Sequence, residues 1–340
     1  MSDVPQSPQG IILSGTDRDL PDQLPEGLAK YTNLADMTSG NSARLRSAWD
    51  TIMGRTIVIK TLLPSVALDR RQRRRFLREA RVTAQLQHPN TVPVYEIGND
   101  PDEGLYFTMK RISGENLLDV IKRLSQKDSE TEAAFPMRRL LDIAINVAQA
   151  LAYSHVRGVI HRDIKPENIW VGNFGEVIVL DWGVAKVWGY PDELDGTGGN
   201  EASQADAQKT NDPETDQLRT LTANGQRLGT PLYMSPEQVR GSGFVDERTD
   251  VFSLGIVIYE MLTQKEPFRG RNVDETFEFI LNWGPPTPSR QALFRDIPEE
   301  LDRIVMKTLE KDPANRYQSM LDLVEDLEQL QHSVANSSKP

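Results

Sequence analysis

The chain has 340 residues, 38% hydrophobic and 26% charged, with no cysteine, which suits one large or two medium globular domains and excludes a disulfide framework, a thiolate metal site or a thiol nucleophile. Lys+Arg 39 against Asp+Glu 50 leaves a formal charge of −11, a sign that argues against nucleic acid or an anionic membrane as main partner. The longest apolar stretches, such as residues 255–262, fall well short of the roughly 20 residues that span a bilayer, and residues 1–5 show no basic stretch leading into an apolar run, so neither membrane insertion nor a secretory leader is expected and the location is read as cytoplasmic.

Residues 1–30, rich in Pro and Gly, predict a flexible tail. Short apolar runs then dominate up to Ile112. Residues 57–59, 92–95 and 105–109 predict strands, with turns at Met53-Gly54 and residues 99–104. Between them, residues 69–86 place Phe76, Ala80, Thr83 or Ala84, and Leu86 near a period of 3.6, which predicts an amphipathic helix stopped by His88-Pro89. From about Glu115 the pattern turns helical, over residues 138–156, 247–263, 273–283, 298–309 and 318–330. The expectation is an α+β architecture: a small antiparallel β-rich lobe (about 31–112) followed by a larger, mainly helical lobe (about 113–331), with residues 332–340 fraying.

Charge is placed unevenly. Residues 190–216 hold eight acidic side chains against Lys209 alone, so this stretch supplies −7 of the net charge. Its polar, aperiodic composition predicts a disordered insertion. Seven arginines crowd residues 70–81; no aromatic residues interleave as a stacking surface would need, so a solvated helix face is preferred to nucleic-acid binding, with contact to the acidic insertion, within or between molecules, as a third possibility.

The chemistry is concentrated in two short segments. His161-Arg162-Asp163-Ile164-Lys165-Pro166-Glu167-Asn168 follows a long helix, and Leu180-Asp181-Trp182-Gly183 closes the strand-like residues 177–180. Singly, Asp163 reads as a turn residue, Asn168 as a loop cap and Asp181 as a strand-end carboxylate. Together and in this order they resemble the catalytic and metal-binding loops of bacterial eukaryotic-like (Hanks-type) serine/threonine protein kinases.

That resemblance implies a two-lobed kinase fold, ATP and Mg²⁺ as cofactors, and protein substrates phosphorylated on Ser or Thr, the lysine two residues after Asp163 marking the serine/threonine branch. Phosphoryl transfer needs metal placement, positive charge and an aligned acceptor hydroxyl. By resemblance, Asp163 orients that hydroxyl and takes its proton, Lys165 lies against the moving phosphate, and Asn168 and Asp181 bind metal. Lys60, ending the strand Ile57-Val58-Ile59, would anchor phosphates through an ion pair with Glu79. Met109 would guard the back of the nucleotide pocket, and Lys110 to Ile112 would form the hinge facing adenine. Gly229-Thr230-Pro231 and Ser235-Pro236-Glu237 resemble the peptide-facing segment that small-molecule phosphotransferases lack, with Glu237 paired to Arg316 and Asp250 bracing the catalytic loop.

Two departures stand out. The glycine-rich loop should fall at residues 38–45, where only Gly40 survives of three glycines and Leu45 ends the segment; this damage suggests the alternative of a pseudokinase, a nucleotide-binding or scaffolding module that signals by conformation. Trp182 replaces the usual Phe. For regulation, Arg162 beside Asp163 implies a phosphorylated activation loop, with Thr220 and Thr222 nominated as autophosphorylation sites, reached in a transient homodimer.

Overall fold

The computed structural model describes residues 24–40, 42–187, 231–241 and 245–337. Their contacts sort into two units, one from Met1–Ala80 with Pro93–Arg111 and one from Arg81–Val92 with Ile112–Pro340. These correspond to a strand-rich and a helical lobe of an α+β fold.

The first unit is built on an antiparallel sheet of β1 (Tyr31–Ser39), β2 (Ala43–Asp50), β3 (Arg55–Leu62), β4 (Val94–Asp100) and β5 (Gly104–Lys110), in spatial order β1-β2-β3-β5-β4. Successive side chains on a strand point to opposite faces. Ile57 and Ile59 therefore meet Tyr31, Ala48 and Tyr106 on one face. On the other, Leu62, Leu105 and Phe107 pack against Phe76 and Ala80 of α1 (Arg70–Gln85), two residues one helical turn apart. Asp69 starts that helix, its Oδ1 accepting from the backbone N–H of Arg71 at 2.8 Å.

The register has two sequence-readable pins. Gly98 lies opposite Tyr106, whose ring would sit 2.5 Å from a Cβ at that position, so a side chain there would displace the ring. Pro93, with no N–H to give, delays the start of β4 to Val94, one residue beyond the apolar pair Val92-Pro93; its carbonyl still accepts from Lys110 N at 2.9 Å. The exposed strand β1 carries mostly polar side chains, which is why no apolar run announces it. Within residues 24–30, Gly27–Lys30 form a 3-10 turn, and Lys30 Nζ reaches Glu96 Oε2 at 2.5 Å.

The second unit contains β6 (Glu115–Asn116), α2 (Leu117–Ser125), α3 (Ser129–Ala134), α4 (Met137–Val156), β7 (Val159–Ile160), β8 (Ile169–Val171), β9 (Val177–Val179), β10 (Lys186–Val187), α5 (Pro236–Val239), α6 (Arg248–Thr263), α7 (Val273–Asn282), α8 (Pro288–Gln291), α9 (Glu299–Thr308) and α10 (Met320–Ser337). Every residue of α6 from Thr249 to Thr263 is buried, as expected of a helix apolar around its circumference. It forms the axis of the unit, contacted by α4, α9 and α10. Gly255 permits the closest of these approaches: a Cβ there would lie 1.9 Å from Thr308 Oγ1 on α9. Residues 81–92 belong here because Val82 and Leu86 enter this core, Asn90 Nδ2 donates to Val177 O at 2.7 Å, and Thr91 bridges to Val179.

The acidic stretch 190–216 and the nominated Thr220 and Thr222 lie outside the described residues.

Candidate active site

In the first unit the sheet register brings three of the expected nucleotide-side residues, Leu45, Lys60 and Met109, to one face. Leu45 of β2 and Phe107 of β5 lie directly opposite Lys60 of β3, and Met109 opposes Val58 two residues away on the same face. This is the face that α1 covers, so Lys60 reaches the helix: its Nζ lies 2.5 Å and 2.7 Å from the two carboxylate oxygens of Glu79. Both side chains are largely removed from solvent, at 19% and 14% exposure. Gly40 occupies the turn joining β1 and β2 and donates its N–H to Ala43 O at 2.9 Å. Met109 and Lys110 end β5, and Ile112 follows outside the strand.

In the second unit the loop between β7 and β8 carries His161 to Asn168, and a buried carboxylate holds its shape. Asp250, on α6 and 0% exposed, accepts from the backbone N–H of His161 and of Arg162, each at 2.8 Å, and bonds His155 Nε2 at 2.8 Å. Burial alone would push this carboxyl up; the bonds and charge of His155 and the loop's backbone outweigh it and hold it below the usual carboxylate range. Arg162 takes a left-handed φ of 67°, a conformation that a non-glycine residue holds only when its surroundings over-determine it. Its guanidinium donates from Nε to Val184 O at 2.9 Å.

Asp163 is the focus of this loop. Its Oδ2 receives Lys165 Nζ at 2.7 Å and Asn168 Nδ2 at 3.1 Å, while Asn168 Nδ2 also donates to the Asp163 carbonyl at 2.9 Å. Burial works against the Lys165 ammonium, but Asp163 and, more weakly, Asp181 raise its pKa above the ordinary lysine value, so the cation is secure at neutral pH. Leu180 N donates to Asn168 O at 2.8 Å, which fixes the strand leading to Asp181 beside the same loop. Asp181 itself is exposed, has a φ of 62°, and accepts only from Gly183 N, at 3.3 Å, among the described residues.

The donor chemistry suits a hard divalent cation. The Asn168 amide nitrogen is committed to Asp163, which leaves Oδ1 for a cation, and the Asp181 carboxylate adds a second oxygen. No group of three His, Cys, Asp or Glu that could hold a metal unaided occurs among the described residues, so a cation here needs further oxygens from its own ligand. Behind Asp181, the Trp182 ring is fully buried, 4.5 Å between centroids from His161.

Of the segment expected to face a peptide, residues 231–241 are described, and Gly229 and Thr230 lie outside the described residues. Ser235 caps α5 with a reciprocal Ser235–Gln238 capping box, and Gln238 Nε2 ties this helix to Arg162 O at 2.9 Å. Glu237 and Arg316 form the expected ion pair, bidentate at 2.8 Å and 2.9 Å. Three participants were not singled out from sequence: His155, Tyr233 and Glu260. Tyr233 Oη donates to Glu260 Oε2 at 2.7 Å. Burial pushes the Glu260 carboxyl up to about 7 against the lowering effect of that bond, with Glu266 and Glu167 adding to the rise. The one available signal was a lone acid inside the apolar run of α6.

The protein kinase domain family matches residues 31–327. The chain is 34% identical over 303 residues to the serine/threonine-protein kinase PknD of Protochlamydia amoebophila, covering 88% of this chain and 29% of that protein. It is likewise 34% identical over 307 residues to PknD of Chlamydia pneumoniae (88% and 31%) and 32% identical to PknD of Chlamydia felis (89% and 31%). It thus spans about three-tenths of the length of these relatives. With a strand-rich unit holding the Lys60–Glu79 pair and a helical unit holding Asp163, Lys165, Asn168 and Asp181, the chain belongs to the protein kinase domain family.

Proposed function

We propose that the chain is an ATP-dependent protein serine/threonine kinase that transfers the γ-phosphate to Ser or Thr hydroxyls of protein substrates, its own activation loop included. The observation that carries the reading is the constellation on Asp163. With Oδ2 occupied by Lys165 and Asn168, the carboxylate is oriented and Oδ1 is left to accept a hydrogen bond from an acceptor hydroxyl and then its proton. Lys165, kept as an ammonium beside Asp163, would balance charge on the group in transfer.

Mg²⁺ fits the oxygens of Asn168 and Asp181, and when bound it would neutralise phosphate charge. In the first unit, Lys60 held by Glu79 offers a fixed ammonium to the α- and β-phosphates, Gly40 and Leu45 border the nucleotide, and Met109 and Lys110 face the adenine side; Ile112, the first residue of the second unit's main stretch, keeps its hinge role by resemblance. Arg162 is assigned to a phosphorylated Thr220 or Thr222. No observation favours the pseudokinase alternative, since the Lys, Glu, two Asp and Asn that the chemistry needs are all present. Among the described residues no helix is long and apolar enough to cross a membrane. The reading also takes the domain as cytoplasmic, acting on proteins and forming a transient homodimer for autophosphorylation, with no nucleic-acid partner.

The test is incubation with Mg²⁺ and labelled ATP, wild type beside Asp163→Asn, followed by mass spectrometry for phosphothreonine. Label on wild type alone supports the reading; label on neither protein nor a generic substrate, without an ATP-dependent thermal shift, overturns it.

A further inference from the structure

Helix α1 carries far more positive charge than the acids of its own sequence balance. Seven arginines stand against Glu79 alone in its 16 residues, and Glu79 is engaged by Lys60. Arg70, Arg71, Arg73 and Arg81 are exposed, and none of the four has an ion pair among the described residues. Like charges also recur at a three-residue spacing in Arg70 and Arg73, where neighbours on a helix repel. The first turn has no acid, although the helix dipole favours one there. Asp69, just before it, spends Oδ1 on the backbone of Arg71.

The complementary charge is elsewhere in the same sequence. Residues 190–216 contain eight carboxylates against one lysine and few apolar side chains, a composition that binds through charge and not by burying a core. We propose that the arginine face of α1 is a docking surface for residues 190–216 of a second copy of this chain. Each copy owns both the cationic face and the acidic stretch, so two copies satisfy both surfaces reciprocally, as a two-fold dimer requires. The exposed arginines have no interleaved aromatic rings to stack on bases, which disfavours nucleic acid as the occupant. The proposal is independent of the kinase reading and its test uses no ATP.

The probe is a fluorescein-labelled peptide of residues 190–216, titrated with the full chain and followed by anisotropy, beside sedimentation equilibrium of the full chain. The comparison variants are Arg70→Gln/Arg71→Gln/Arg73→Gln/Arg81→Gln, and a chain with the eight acids of residues 190–216 changed to Asn or Gln. Expected is at least about a tenfold loss of peptide affinity in the arginine variant, and a similar loss between about 50 mM and about 500 mM salt. Wild type associates with rising concentration, and both variants stay monomeric. Equal peptide binding by the arginine variant overturns the proposal. So does a wild-type monomer up to about 100 μM at low salt, or an RNA oligonucleotide or phosphatidylserine vesicle bound in preference to the peptide. Should the arginine variant fail to fold by circular dichroism, the acid-neutralised chain, unchanged in α1, decides the outcome.

Discussion

Arg316 grips Glu237 with two parallel hydrogen bonds of 2.8 Å and 2.9 Å, at 2% and 7% exposure. Thr249 Oγ1 adds a third donor to Glu237 Oε1 at 2.8 Å. Burial alone would raise the Glu237 carboxyl, but Arg316 reverses this and holds it below its ordinary value. Removing one partner strands a buried charge, which costs far more than an exposed pair contributes. Arg316→Ala is therefore expected to lower unfolding free energy by about 3–5 kcal/mol. A urea melt that moves by less than a quarter of that would show the pair to be dispensable.

Asp163→Asn keeps the shape of the side chain and removes its basicity. An amide oxygen cannot take the proton of the acceptor hydroxyl, so turnover should fall by about 10²–10⁴-fold. Because the substituted amide still presents an oxygen to Lys165 and Asn168, the melting temperature should hardly move. Loss of folding together with activity would indicate that Asp163 serves the loop and not the reaction.

Glu260 gives the fold a pH dependence of opposite sign to a salt-bridged acid. Burial raises its carboxyl from the ordinary 4.5 to about 7, so between those values the native chain holds a proton that the unfolded chain has released. Stability then falls as pH rises through that window, by about 3 kcal/mol at the upper end from this group. Glu260→Gln keeps an acceptor for Tyr233 and removes the titration. Its melts should match wild type near pH 4.5 and exceed it at pH 8; a variant equally or less stable at pH 8 contradicts the assignment.

The parts of this molecule most legible in sequence are those where one local rule dominates. Ile57, Val58 and Ile59 read as an inner strand because β3 is covered on both faces, and the 3.6-residue recurrence of Phe76 and Ala80 marked α1. The loop from His161 to Asn168 is legible because Asp163, Lys165 and Asn168 sit within six residues and meet as close neighbours. β1 escaped because its side chains are mostly exposed, leaving no apolar alternation to read. The Tyr233–Glu260 contact spans 27 positions and His155–Asp250 spans 95; each depends on where α6 lies, which no local pattern encodes.

Gln264 closes α6 in a left-handed conformation, with φ 60° and ψ 22° and its N–H donated to Glu260 O at 2.7 Å. A side chain with a Cβ is strained there, and glycine is the residue that usually ends a helix in this way. The hydrogen bond is made by the backbone, so exchanging the side chain leaves it intact. Glycine also widens the unfolded ensemble, which offsets part of the relief. The left-handed strain of roughly 1–2 kcal/mol, less about 0.4–1 kcal/mol for the wider unfolded ensemble, means that Gln264→Gly should still raise stability by about 0.5–1 kcal/mol. The same change at Gln238, whose side chain holds Ser235 N at 3.0 Å and Arg162 O at 2.9 Å, should lower it. Comparing the two variants by thermal melting separates backbone relief from a general tolerance of glycine, and a loss at both sites would refute the cap argument.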